Sequence, residues 1–190
     1  MTGQPARAPA LHDQTLLREA LGSIAVLTLN RPEARNSLSE RLIAELHAAL
    51  REIHDDAGVR AVVIAASGPA FSAGHDMKEL TARRADADRG RGYFAEIMTA
   101  CSAMMQAIVQ LPKPVVAAVQ GVATAAGCQL VASCDLAVAS EAATFATPGT
   151  DMSLGRIVHI TISVRSRCDR FAPFAERMPI FITRLVDDSG

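Results

Sequence analysis

The chain has 190 residues, a formal net charge of −1 and 49% apolar residues. That length fits one domain with a sizeable core, and that apolar fraction excludes a disordered chain. The balanced charge gives no electrostatic reason to expect nucleic acid or an anionic membrane surface as a partner. No apolar run reaches the ~18–20 residues of a membrane span.

Residues 1–21 read as a flexible N-terminal segment. Met1 to Gln14 is polar and holds several Ala and Pro, with no apolar core of a secretory signal. Arg7 and Arg18 alone make a poor mitochondrial presequence, and Asp13 and Glu19 oppose one, so the expectation is a cytoplasmic protein. Cys101, Cys128, Cys134 and Cys168 form no C-x-x-C pair, which makes reduced thiols the default. The five histidines are scattered and offer no zinc spacing, so no metal is expected.

Ile24 to Asn30, IAVLTLN, reads as a strand stopped by Arg31-Pro32. Ser37-Leu-Ser-Glu40 has the form of a capping box, with Ser37 at the cap. Leu42, Ile43, Leu46, Leu50 and Ile53 then recur at helical spacing and predict a helix over 38–54. Val59 to Ala66 is a second buried strand, and Ser67-Gly68-Pro69 a turn. Phe71 to Leu80 is a loop entering a short helix. Ala82 to Gly92 is charged and polar, which reads as a mobile surface loop of a length that also fits a flap. Tyr93 to Leu111 is a long helix with Met98, Cys101, Met104, Met105 and Ile108 on its apolar side, ended by Pro112-Lys113-Pro114. Val115 to Val119 is a third strand, Ala125 to Ala132 a helix, Asp135 to Ala139 a fourth strand and Thr144 to Ala146 a fifth. Alternating apolar strands and helices indicate βαβ units and a largely parallel, buried sheet: an α/β fold.

Two turns carry the chemistry. Each follows a buried strand, is built of small residues and runs into a helix. The first is Phe71-Ser-Ala-Gly-His-Asp-Met-Lys78; the second is Gly121-Val-Ala-Thr-Ala-Ala-Gly-Cys-Gln-Leu130. A helix N-terminus offers unpaired N–H groups and partial positive charge, and small residues let a ligand oxygen approach. Two facing N–H groups make an oxyanion site. Tight strand–helix packing alone would explain the same residues. The second turn is not G-x-G-x-x-G, which weakens a dinucleotide site, and no G-x-S-x-G supports a serine hydrolase.

The segments LTLNRPEARNSLS, AFSAGHDMKEL and LPKPVVAAVQGVATAAGCQLVASCDLAVASEAATFATPG, spread over residues 22–149, resemble the enoyl-CoA hydratase/isomerase (crotonase) family in order and spacing. The resemblance implies a spiral of ββα turns and an acyl-CoA thioester as partner, in fatty-acid or related acyl metabolism. It implies no separate cofactor, since coenzyme A is part of the substrate. It places the two oxyanion donors at the backbone N–H groups of His75 and Ala126. Ala73, His75, Asp76, Met77, Lys78 and Gly127 map to acyl-CoA contacts, and Ala34-Arg35 to a contact with the nucleotide end. A homotrimer or hexamer is the family-like assembly.

Family hydratases place two glutamates across a water. By resemblance those positions are Gln129 and Gly149 here. Neither can exchange a proton near neutrality. Two readings follow: an enoyl-CoA hydratase/isomerase-type enzyme resting on enolate stabilisation, or a non-catalytic acyl-CoA-binding or regulatory member. Asp76 reads more readily as a helix cap than as a replacement base.

Composition changes near residue 150. Residues 1–150 hold 33 alanines and residues 151–190 hold two, with six arginines and no lysine. Residues 150–190 therefore read as an atypical tail of a C-terminally truncated spiral, produced by a frame change or by divergence. Ile157 to Val164 reads as its one strand.

Overall fold

A computed structural model describes residues 14–147. Gly149, the atypical tail and its expected strand at Ile157 to Val164 lie outside them.

The chain runs β1 (Leu16–Leu21), β2 (Ile24–Leu29), α1 (Glu40–Asp55), β3 (Ala61–Ala66), β4 (Ala70–Ser72), α2 (Met77–Ala82), α3 (Arg91–Val109), β5 (Val115–Val119), β6 (Val122–Thr124), α4 (Ala126–Ser133), β7 (Leu136–Ala139) and β8 (Phe145–Ala146). Five strands form one sheet in the order β1-β2-β3-β5-β7, and a second sheet has the order β4-β6-β8. Among the described residues, only β1 is antiparallel to its neighbour. Each of three successive units sends one strand to the larger sheet and a short one to the smaller: β3-β4, β5-β6 and β7-β8. Helices follow the first two. This is the expected ββα spiral.

The larger sheet alternates in its burial. Ala25, Leu27 and Leu29 of β2, Val62 and Ile64 of β3, and Val115, Ala117 and Val119 of β5 are buried, with partly covered residues between them. The buried face meets α1 through Leu42, Ile43, Leu46, Leu50 and Ile53. The same core takes Ile97, Cys101, Met104, Met105 and Ile108 from α3, so the methionines are packing residues. Lys113 closes the end of α1 by donating its ammonium protons to the Ile53 and Asp56 carbonyls.

Four expectations are corrected. Residues 16–21 are not part of a flexible segment; they pair along their whole length with β2 as an edge strand. Polar residues such as Arg18 and Glu19 hid it, because an edge strand with exposed side chains lacks an apolar period. The cap of α1 is Ser39 rather than Ser37: the Ser39 hydroxyl accepts from the Leu42 N–H at 3.2 Å, and α1 starts two residues late. Ser37 is drawn off by Asp76, and Glu79 takes the Glu40 N–H at 2.9 Å. The segment 82–92 is a shaped turn and not a plain loop. It holds a 3-10 turn at 83–85 and a buried Gly90, and α3 begins at Arg91. Finally, β4 and β6 went unread because three-residue strands carry no period.

Candidate active site

The first turn is held by a polar network. Asn36 is fully buried at φ 51°, a left-handed conformation that asparagine tolerates. Its Oδ1 accepts from the Arg31 N–H, and its Nδ2 donates to the Ser67 and Ala70 carbonyls, each at 2.8 Å. Its own carbonyl accepts from the Ser72 hydroxyl at 2.9 Å. Beside it, Arg31 donates to the Asp76 carboxylate at 3.0 Å, and the Ser37 hydroxyl donates to the same oxygen at 3.1 Å. The other Asp76 oxygen accepts from the Lys78 N–H at 3.0 Å, which caps α2. Burial pushes the Asp76 carboxyl up, but the bonds from Arg31, the Lys78 N–H and Ser37 outweigh it and hold the group below its ordinary value.

The strand-like segment around His75 aims its backbone. The Leu38 N–H donates to the Gly74 carbonyl at 2.7 Å, and the Asp76 N–H donates to the Leu38 carbonyl at 3.2 Å. In this parallel bridge the residue between, His75, turns its N–H away from the ladder. No hydrogen bond among the described residues uses that N–H.

The second turn is built by close packing. A Cβ on Gly127 would sit 2.4 Å from the Ser72 carbonyl oxygen, and one on Gly121 2.0 Å from that of Pro69. Only glycine lets α4 and its turn press this close to β4. Ala125, directly before α4, has φ 50° and ψ −122°, a conformation that L residues rarely adopt. Its N–H donates to the Ala146 carbonyl at 2.8 Å, and its carbonyl accepts from the Cys128 and Gln129 N–H groups. Ala126 is then the first helical residue, and its N–H has no partner among the described residues.

The two turns meet at Gly74. A Cβ there would lie 2.9 Å from the Ala125 Cβ and 3.2 Å from the Ala126 nitrogen. The Thr124 hydroxyl donates to the Ala73 carbonyl at 3.4 Å, and the Ala73 N–H donates to the Arg35 carbonyl at 3.0 Å. The fold thus gathers Arg35, Ala73, His75 and Ala126 along one seam. Arg35 has φ 51° and an exposed side chain, and Ala34 ends the 3-10 turn before it. Met77 and Lys78 are exposed at the start of α2, and Gly127 is buried. Gln129 is exposed one turn into α4, with no side-chain hydrogen bond among the described residues.

Asp76 was mapped to an acyl-CoA contact. It was also read as a helix cap, and its carboxylate caps α2 and pairs with Arg31. The His75 ring is half-buried, its Nδ1 is enclosed without a partner among the described residues, and burial lowers its pKa. Cys128 is buried with its thiol pushed up, which leaves it inert. Asp135 pins β5 through the Val115 N–H at 2.8 Å. Asn36, Arg31, Gly74 and Ala125 were not singled out from sequence. The signal available for Asn36 was an asparagine directly before a helix entrance and next to a lone arginine.

The described residues form an α/β spiral in which two helix-opening turns are pressed together. The chain belongs to the enoyl-CoA hydratase/isomerase family: that family's profile, described as "Enoyl-CoA hydratase/isomerase", matches residues 19–167. The match is wider at both ends than the 22–149 core read from motifs. The chain is 45% identical over 140 residues to "Enoyl-CoA hydratase domain-containing protein 3, mitochondrial" of Xenopus laevis, covering 74% of this chain and 46% of that protein. It is 37% identical over 175 residues to a "Probable enoyl-CoA hydratase" of Rhizobium meliloti (strain 1021), covering 92% and 63%. A solved enoyl-CoA hydratase of Mycobacterium smegmatis superposes with a TM-score of 0.67 at 48% identity, covering 74% of this chain and 53% of that one. The chain spans about half the length of the mitochondrial relatives it matches. Those relatives are named as mitochondrial, which overturns the cytoplasmic placement drawn from the N-terminal composition. No helix among the described residues is long and apolar enough to cross a membrane.

Proposed function

We propose that this protein binds an acyl-CoA thioester and holds the thioester oxygen between the backbone N–H groups of His75 and Ala126. The observation that carries this is the abutment of the two turns at Gly74, with both N–H groups unused by the fold. In this reading, negative charge that develops on the thioester oxygen, as in an enolate, is met by two fixed dipoles that need no reorganisation. Arg35, joined to Ala73 by a backbone bond, has an exposed guanidinium that supports a contact with a coenzyme A phosphate in this reading. Coenzyme A enters as part of the substrate, and fatty-acid or related acyl metabolism is the setting.

A second reading is a binding or regulatory role without turnover. Two observations favour it. Gln129, at the position where the family carries a glutamate, presents an amide that cannot exchange a proton. Asp76, the carboxylate nearest the first donor in sequence, is tied to Arg31, Ser37 and the α2 cap.

Calorimetry with butyryl-CoA and a hydration assay with crotonyl-CoA test both. Replacing the amide between Ala125 and Ala126 by an ester deletes the Ala126 donor without adding atoms, whereas a proline there would fill the site with its ring and follow a residue at φ 50° that it disfavours. The ester is expected to weaken binding about tenfold while the circular dichroism spectrum is kept. Binding without hydration supports the regulatory reading, and hydration that survives Gln129→Ala points to another base. A wild-type chain that binds no thioester, or an ester variant that binds unchanged, overturns the oxyanion assignment.

A further inference from the structure

A groove of ≈ 380 Å³ runs along α2 into the start of α3. Met77, Leu80 and Phe94 line it as apolar side chains, with Met77 63% and Phe94 52% exposed. Arg84, Arg89 and Arg91 line it as cations. None of the three has an acidic partner among the described residues.

The acids of α2 and of the turn after it are engaged elsewhere, and the exposed Glu96 of α3 makes no ion pair with the three arginines. Glu79 accepts from the Glu40 N–H and the Tyr93 hydroxyl. Asp86 pairs with Arg83 at 4.0 Å. Asp88 accepts from the Gly92 and Gly90 N–H groups at 2.7 and 2.9 Å, which hold its carboxyl below the ordinary value. Arg83, the remaining arginine, stacks on the Tyr93 ring at 4.7 Å. The turn that carries the three arginines is therefore shaped by its own bonds. Gly90 reinforces it: φ is +79°, and a Cβ would fall 2.9 Å from the Arg83 carbonyl oxygen. Three unpaired guanidinium groups over an apolar floor are complementary to an apolar chain that ends in an anion.

We propose that this groove takes the far end of an acyl group that terminates in a carboxylate, so that the preferred substrate class is a dicarboxylic acyl-CoA. The proposal rests on the acyl-CoA reading of the two turns. The geometry fits it: Met77 lies two residues after His75, and α2 is six residues long, about 9 Å at ~1.5 Å per residue. An extended eight-carbon diacid chain has about the same length, from its ~1.5 Å bonds. With its thioester oxygen at His75, such a chain lies over Met77 and Leu80 and brings its free carboxylate to Arg84, Arg89 and Arg91.

The test is calorimetry of the full chain with suberoyl-CoA and octanoyl-CoA, which differ only in the terminal group. The wild type is expected to prefer suberoyl-CoA by about fivefold, a gain in scale with solvent-exposed charge pairs, and to lose that preference at high salt. Replacing Arg84, Arg89 and Arg91 together by alanine is expected to bring the ratio to about one, with the melting curve as the control for folding. Equal affinity of the wild type for both ligands overturns the proposal and leaves the oxyanion reading standing. A ratio that persists in the triple variant while both affinities fall assigns the arginines to coenzyme A phosphates and also overturns it. Binding of neither ligand rejects the oxyanion reading itself.

Discussion

The two turns of the site do the same geometric job by different physical means. The first is fixed by polar groups: Asn36, Arg31, Ser37 and Asp76 make a connected set of hydrogen bonds that hold Ala73 to Lys78 in place. The second is fixed by steric fit, with Gly121 and Gly127 against β4 and its approach, and by the strained backbone of Ala125. A polar network is sensitive to charge and therefore to pH. A steric one is sensitive to volume and almost blind to pH. One site thus carries two independent kinds of failure.

The largest expected effect comes from the steric half. Gly127→Ala puts a methyl group 2.4 Å from the Ser72 carbonyl oxygen, a backbone atom that cannot swing aside. A loss of about 3 kcal/mol in a denaturant melt is expected, at the upper end for overpacking. A loss below about 1 kcal/mol would mean that α4 moves easily and that the turn is not held by fit.

The polar half breaks through Asp76. Asp76→Asn removes the anion beside Arg31, whose side chain is largely covered, and a loss of about 2 kcal/mol at neutral pH is expected. The pH sign follows from the lowered carboxyl. The stabilisation is complete above the ordinary carboxylate value and is lost as pH falls through the depressed folded value. The stability difference between wild type and Asp76→Asn should therefore narrow in acid, whereas that of Gly127→Ala should stay constant. Parallel pH profiles for the two variants would dissolve the contrast between the turns.

The smallest effect has the opposite sign. Ala125→Gly removes the strain of φ 50°, ψ −122° and adds chain entropy to the unfolded state. The net expectation is a gain of about 1 kcal/mol, read as a higher melting temperature. A destabilised glycine variant would show that the Ala125 methyl group contributes by packing against Gly74 rather than only tolerating its place.

Most of the frame was legible in the chain. The apolar runs at Ile24, Val59 and Val115 and the helical period of Leu42 to Ile53 mark elements that bury one face, and burial imposes its period on sequence. The strand β1 was not legible, because an edge strand is held by backbone bonds that leave side chains free to be polar. The capping motif at Ser37 to Glu40 misled for a related reason. A local pattern specifies which hydroxyls can cap, and a distant carboxylate, Asp76, decided which one does. The three-residue strands β4 and β6 are too short to show a pattern, yet they bring the two turns together.

By itself the sequence determined the α/β class, the order of its long elements, the family and the two small-residue turns. These depend on hydrophobic period and on residues placed close together in the chain. Tertiary structure alone decided that Gly74 rests against Ala126, that Asn36 bonds four residues in two stretches of chain, that Asp76 is tied to Arg31 and Ser37, and that three arginines share one groove. Each of these joins residues far apart in the chain or depends on a backbone conformation, and such proximity leaves no periodic mark on a sequence.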